Sequence, residues 1–217
     1  MIKSDIKILK ERALAGDLSA LEELRKMGLL SGKKSGYVIA PASYSQRRLW
    51  FIDQMDKSPA YNLPALIKFS GELDIDALER SFKELIKRHE SLRTVFTENE
   101  GVPYQKIYTT SDFRLKKEDV RGREDKSSII DELIREESRR CFDLTGGPLL
   151  VCSLLRTEES EYILIFNMHH IISDGWSIGV MIAELTSFYN AFSSGKEAEI
   201  SPLPVQYRDY AKRQEVF

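Results

Sequence analysis

The sequence predicts an α+β protein, with a mixed and largely antiparallel sheet flanked by helices. Two apolar runs, LLVCSLLR (149–156) and EYILIFNMHH (161–170), flank the polar turn TEESE and read as a buried strand pair. Two other segments repeat apolar residues at helical spacing: Leu78, Phe82, Leu85, Ile86 and His89, then Ile178, Met181, Ile182, Leu185, Phe188, Tyr189 and Phe192. Hairpins and helices are interleaved along the chain without repeated strand–helix–strand units, which favours antiparallel pairing.

Residues 1–30 read as a helical hairpin. Ile6, Leu9, Ala13 and Leu14 form one stripe, Gly16-Asp17 breaks it, and Leu18, Leu21, Leu24 and Met27 resume before Gly28. The polar, glycine-rich SGKKSG (31–36) reads as a linker, so the main body is expected over 37–217. In it, SQRRLWFIDQM predicts a short helix and NLPALIKFSG a strand closed by Gly71. Asp74 or Asp76 is placed to cap the helix that follows. TVFTENEGVPYQKIY predicts a hairpin turning at Glu98 to Gly101, and FRLKKEDV a further strand. A helix is expected over 126–141, carrying Ile130, Leu133, Ile134 and Cys141. GGP (146–148) predicts a turn ahead of the strand pair. ISDG leads into the long helix, SSGK ends it, and SPLP is extended before a last helix in VQYRDYAKRQEVF.

Composition excludes several classes. The 217 residues carry 32 Lys+Arg against 34 Asp+Glu, a net charge of −2, whereas a nucleic-acid footprint needs a basic excess. No apolar run approaches the ~20 residues that cross a bilayer, and the charged N-terminus lacks a signal-peptide core. A cytoplasmic protein is expected. Two cysteines, Cys141 and Cys152, are too few for a disulfide framework and too far apart for a CxxC pair, so buried free thiols are expected.

Chemistry concentrates in FNMHHIISDGWS (166–177), which holds two of the three histidines at a strand end before a glycine turn. On an extended strand Phe166, Met168 and His170 share one face, and Asn167 and His169 the other. Three readings compete on these residues alone. One histidine is a satisfied core residue while Asp174 caps a helix. Alternatively His169, His170 and Asp174 hold a metal, against which adjacent strand residues diverge. Or one histidine performs acid–base catalysis, imidazole being the side chain that titrates nearest neutrality. Gly175 would then leave room for a close backbone approach.

MHHIISDGWS resembles the HHxxxDG signature of condensation domains of nonribosomal peptide synthetases, within the chloramphenicol-acetyltransferase-like acyltransferases. Three further strings follow that family's order. SYSQRRLWFIDQ (43–54) is similar to SxAQxRLWxL, with Ser45 for alanine and Ile52 for leucine. RHESLRTVF (88–96) matches RHExLRTxF, and YRDYAKR (207–213) resembles YxDYAxW with Arg213 in the aromatic place. The resemblance covers about 37–217 and implies the N-terminal half of a two-half domain, whose C-terminal subdomain the chain lacks. A fragment of a larger synthetase, inactive alone, is therefore expected.

The resemblance also implies the chemistry. Donor and acceptor are thioesters on the phosphopantetheine of carrier domains, no cofactor or metal is bound by the domain itself, and the acceptor amine attacks the donor carbonyl to form an amide. His170 is the implied base or positioner, with His169, Asp174 and Gly175 completing the motif and Trp176 and Ser177 supporting it. Asp174 is expected to pair with Arg93 or cap the helix, His169 and His89 to be structural, Arg88 and Glu90 to be surface charges, and Trp50 and Trp176 to anchor the core. Residues 1–30 are expected either to dock an upstream synthetase subunit or to serve as a passive linker. Rival readings are an epimerisation domain, disfavoured by Gly175, a CoA-dependent acyltransferase of the same fold, and a non-catalytic carrier-docking module. A heterocyclisation domain, which has aspartates in place of the histidines, is disfavoured by His169 and His170.

Overall fold

A computed structural model describes residues 36–215. The expected hairpin of residues 1–30 and most of the linker lie outside the described residues. The elements are β1 (Tyr37–Pro41), α1 (Tyr44–Met55), β2 (Asn62–Ser70), α2 (Ile75–Arg88), β3 (Thr94–Asn99), β4 (Val102–Tyr108), β5 (Lys116–Asp119), α3 (Lys126–Ser138), β6 (Leu150–Glu158), β7 (Glu161–His169), α4 (Gly175–Ser193) and α5 (Tyr207–Gln214). Short 3-10 turns cover Pro59–Tyr61 and Glu90–Arg93.

They build two sheets. The larger runs β2-β7-β6-β5, antiparallel except for the parallel β5–β6 edge; the smaller is the antiparallel β1-β4-β3. The α+β expectation holds, mixed sheet included. Within FRLKKEDV the strand is Lys116–Asp119, which runs parallel to Ser153–Arg156 of β6 and is followed by a 3.0 Å hydrogen bond from Val120 N–H to Arg156 O.

β7 is an inner strand of the larger sheet, between β2 and β6. Tyr162, Leu164, Phe166 and Met168 join the main core, where α2 and α4 supply Leu78, Phe82, Leu85, Met181, Leu185 and Phe188. The alternate residues face α3, whose Glu137 carbonyl accepts a 2.6 Å hydrogen bond from the Asn167 amide. Covered on both faces, β7 is buried from Leu164 to His169, which explains its near-continuous apolar sequence. Capping sets where the helices begin. Ser43 and Gln46 form a reciprocal box at α1, Asp74 caps α2, and Asp174 caps α4.

Four expectations about packing need correction. His89 is not on the apolar face of α2; it is the residue at which that helix ends. α3 stops at Ser138, which leaves Cys141 exposed beyond it; only Cys152 is a buried thiol, its pKa raised by desolvation. Trp50 is a core residue beside Phe96, but Trp176 is 84% exposed. The helical period explains Trp176 and the 39% exposure of Ile182: with Met181, Leu185, Phe188 and Phe192 inward, both positions fall on the open side of α4.

Candidate active site

The register of the large sheet decides what the two histidines do. β2 and β7 pair over their full lengths, from Ser70 opposite Glu161 to Asn62 opposite His169. His169 is therefore the last residue of the strand. Its amide donates to Leu149 O at 3.1 Å, and the His170 amide donates to Tyr61 O at 2.7 Å. The chain then turns: Ile172 N–H reaches His169 O at 3.1 Å and Ser173 N–H reaches His170 O at 3.4 Å. The alternation expected of an extended chain thus stops one residue early. Met168 is buried, while His170 leaves its face and becomes exposed.

His169 is sealed in, at 2% exposure. Its Nδ1 accepts a 3.1 Å hydrogen bond from the Ile171 amide, so the ring is held as the tautomer that carries its proton on Nε2. Phe142 meets it edge-on at 6.1 Å and Tyr61 packs against it at 6.4 Å. Burial, with a smaller contribution from neighbouring His170, pushes its pKa down to about 4.

His170 lines a groove of about 430 Å³, together with Gln46, Arg48, Tyr61, Asp174 and Tyr207. Asp174 and Ser177 sit at the start of α4 on the same wall. The Asp174 carboxylate accepts from the Ser177 amide at 2.8 Å and from its hydroxyl at 2.6 Å. These bonds hold its pKa below the usual carboxylate range, and the nearby His170 adds to the effect. Gly175 is the first residue of α4, and a Cβ placed there would meet open space, not a closely approaching backbone. Among the described residues no three His, Cys, Asp or Glu side chains converge as metal ligands. No described helix is long and apolar enough to cross a membrane.

The Arg93–Asp174 ion pair does not form. Arg93 donates to Tyr108 O and, at 3.5 Å, to Lys87 O, and lies 3.8 Å from Glu90. It ties the end of β4 to the end of α2, and Asp174 is satisfied by its own helix. Arg88 and Glu90 are not free surface charges either. Arg88 Nε lies 3.1 Å from both Glu184 oxygens, His89 Nε2 lies 2.6 Å from Glu184 Oε2, and Glu90 pairs with Arg208 at 3.1 Å.

Two groove residues were assigned no role from sequence. Gln46 is 2% exposed; its Nε2 donates to Ile171 O at 3.2 Å and its Oε1 accepts from Ser43 N at 3.0 Å. One side chain therefore links the start of α1 to the loop that presents His170. Tyr207, whose phenol is pushed up by burial, shares a 2.9 Å hydrogen bond with the Ser43 hydroxyl. Both lie in strings that carried the resemblance, SYSQRRLW and YRDYAKR, and no other signal in the chain pointed to them. α5 is further pinned to α1 where Tyr44 N–H donates to Gln214 Oε1 at 3.0 Å and Arg47 pairs with Glu215.

Comparison with known proteins shows the family. The chain is 41% identical over 172 residues to malpinin synthetase of Mortierella alpina, a match covering 79% of the chain and 2% of that protein. Bacitracin synthase 2 of Bacillus licheniformis is 38% identical over 218 residues, covering 98% of the chain and 8% of that protein. Among solved structures, the X-domain from teicoplanin biosynthesis superposes with a TM-score of 0.73 at 27% identity, over 86% of this chain and 39% of that one. The starter condensation domain of rhizomide synthetase gives a TM-score of 0.75 at 19% identity, over 82% of this chain and 43% of that one, which speaks for the fold alone. The chain thus spans a few per cent of these curated relatives and about two fifths of these solved chains. The condensation-domain family model matches residues 38–217, the stretch that carries both sheets and the His170 groove, and the chain belongs to that family.

Proposed function

We propose that residues 37–217 form one half of a condensation domain and supply the proton-handling wall of its amide-forming channel. The observation that carries this reading is the division of labour in the histidine pair: His169 is locked in the interior and His170 opens into the groove. Donor and acceptor reach the groove as thioesters on the phosphopantetheine arms of carrier domains, the chain itself contributing no cofactor.

The acceptor's α-amine has an ordinary pKa near 8, so much of it is protonated and unreactive at neutral pH. Its nitrogen adds to the donor carbonyl, forming the C–N bond. The imidazole of His170 takes the proton that the nitrogen must shed. Collapse breaks the C–S bond, and the departing thiolate of the donor arm takes that proton from the His170 imidazolium, which restores the neutral ring. The thioester is already activated, so positioning both groups and handling one proton are the demands left to the protein. Gln46, bonded to the carbonyl of Ile171, fixes the loop that aims His170. Asp174 caps α4 and holds the far side of that loop.

The groove is not enclosed, and in this reading a second half-domain closes it into a channel. A chain with this groove alone is therefore expected to show no measurable turnover. In the complete domain, His170→Ala lowers amide formation by ~10²-fold or more, the usual worth of a general base. His169→Ala acts through stability. Equal and mild losses from the two substitutions would overturn the assignment.

A further inference from the structure

The groove at His170 continues past Ser177. A second cavity of about 130 Å³ adjoins it, and Ser91, Ile172, Ser173 and Ser177 line both. Beyond that junction the wall becomes hydrocarbon, from Leu92, Met168, Val180 and Met181. Two polar side chains of this wall are already engaged, His89 with Glu184 at 2.6 Å and the Ser177 hydroxyl with Asp174 at 2.6 Å, while Ser91 and Ser173 lie where the recess meets the His170 groove. Trp176 also lines this cavity, and its indole is 84% exposed. An apolar recess that opens beside a polar site, with a large aromatic left uncovered next to it, is the arrangement of a small-molecule subsite.

We propose that this recess receives the hydrocarbon side chain of one of the two thioester-bound groups, so that a branched aliphatic or phenyl side chain is selected over a small or charged one. The inference rests on the reading of the His170 groove as the amide-forming site. Size supports it: an apolar cavity of 150 Å³ takes up benzene, so about 130 Å³ accommodates an isobutyl group and approaches the size of a phenyl ring. A carboxylate side chain would lose its water there, and no Lys or Arg is among the lining residues to pair with it. The same chemistry could arrive on the donor or on the acceptor, and the test separates them.

The complete condensation domain containing this chain is assayed with carrier domains loaded with glycyl, leucyl, phenylalanyl or glutamyl groups. The donor is varied against a glycyl acceptor, then the acceptor against a glycyl donor. In one of the two positions, leucyl exceeds glycyl in kcat/KM by about tenfold or more, the usual return from filling an apolar pocket, and glutamyl falls below leucyl. Val180 lines the recess and is 37% exposed, so a larger side chain can be introduced there without rebuilding the core. Val180→Phe lowers the leucyl-to-glycyl ratio about tenfold in that position only, which identifies the arm that uses the recess. Val180→Ala, which enlarges the space, raises the phenylalanyl-to-leucyl ratio and stands in if Val180→Phe does not fold. Selectivity that is flat in both positions, or ratios that neither variant moves, overturns the proposal. Glycyl–glycyl amide formation in the same series reports separately on the parent reading: its absence there sinks the amide-forming assignment, whereas its presence with flat selectivity sinks only the recess.

Discussion

Lowering the pH should destabilise this protein through His169 by an amount the structure allows to be worked out. The ring is 2% exposed, uses Nδ1 as an acceptor and has its pKa held at about 4, against 6.5 when unperturbed. A histidine whose folded pKa is depressed binds a proton more readily once the chain unfolds. Stability is therefore complete above pH 6.5 and drains away as pH falls from 6.5 towards 4. Between pH 7.5 and pH 5 the loss from this group is about 2 kcal/mol, at about 1.4 kcal/mol per unit of pH below 6.5. With a urea m-value of about 2 kcal/mol/M, the unfolding midpoint falls by about 1 M. Other groups titrate too, so the measurement is a difference. His169→Asn keeps an acceptor oxygen near the Nδ1 position and removes the titration. It lowers stability at both pH values because it leaves a cavity, but its midpoint should fall about 1 M less than the parent's over the same interval. Parallel midpoints for parent and variant would refute the picture of a buried, neutral His169.

Three other substitutions test the framework. Gln46→Leu keeps the approximate volume but deprives Ile171 O and Ser43 N–H of their partner, for an expected loss of about 1–3 kcal/mol by urea unfolding; an unchanged midpoint would mean that neither hydrogen bond is made. Gly147 has φ +60°, and a Cβ there would lie 2.8 Å from Val95 Cγ1, so Gly147→Ala should cost about 1–3 kcal/mol. Gly179 stands inside α4 with open space where its Cβ would be, and Gly179→Ala should instead stabilise by about 0.5–1 kcal/mol. The same sign for both glycine changes would contradict the backbone assignment.

Local rules made much of the fold legible in the sequence. The apolar runs at 149–156 and 161–170 are β6 and β7, Asp74 and Asp174 cap the helices they precede, and Gly71 and Gly101 sit at turns with positive φ. Each depends on a residue and its near neighbours, which is why a linear reading finds them. The errors fall where a partner from a distant segment intervenes. Arg88 read as a surface charge because Glu184, its partner, is 96 residues away. Arg93 is one of the two partners that the sequence offers Asp174, the other being the helix that Asp174 does cap, and the carbonyl Arg93 meets is that of Tyr108 at the end of β4. Cys141 continues the apolar spacing of a helix that in fact ends three residues before it.

The site divides along the same line. Linear order was enough to put both histidines of HHIISDG at one strand end, and to show that adjacent histidines on a strand cannot both face one cleft, because the alternation of side chains is a property of the chain alone. Which histidine opens to the groove depended on the folded arrangement. β7 stops at His169 because β2 stops pairing at Asn62, and His170 then turns outward with its amide tied to Tyr61. Where a strand ends is set by its partner's register, a contact across 107 residues that periodicity within β7 does not contain.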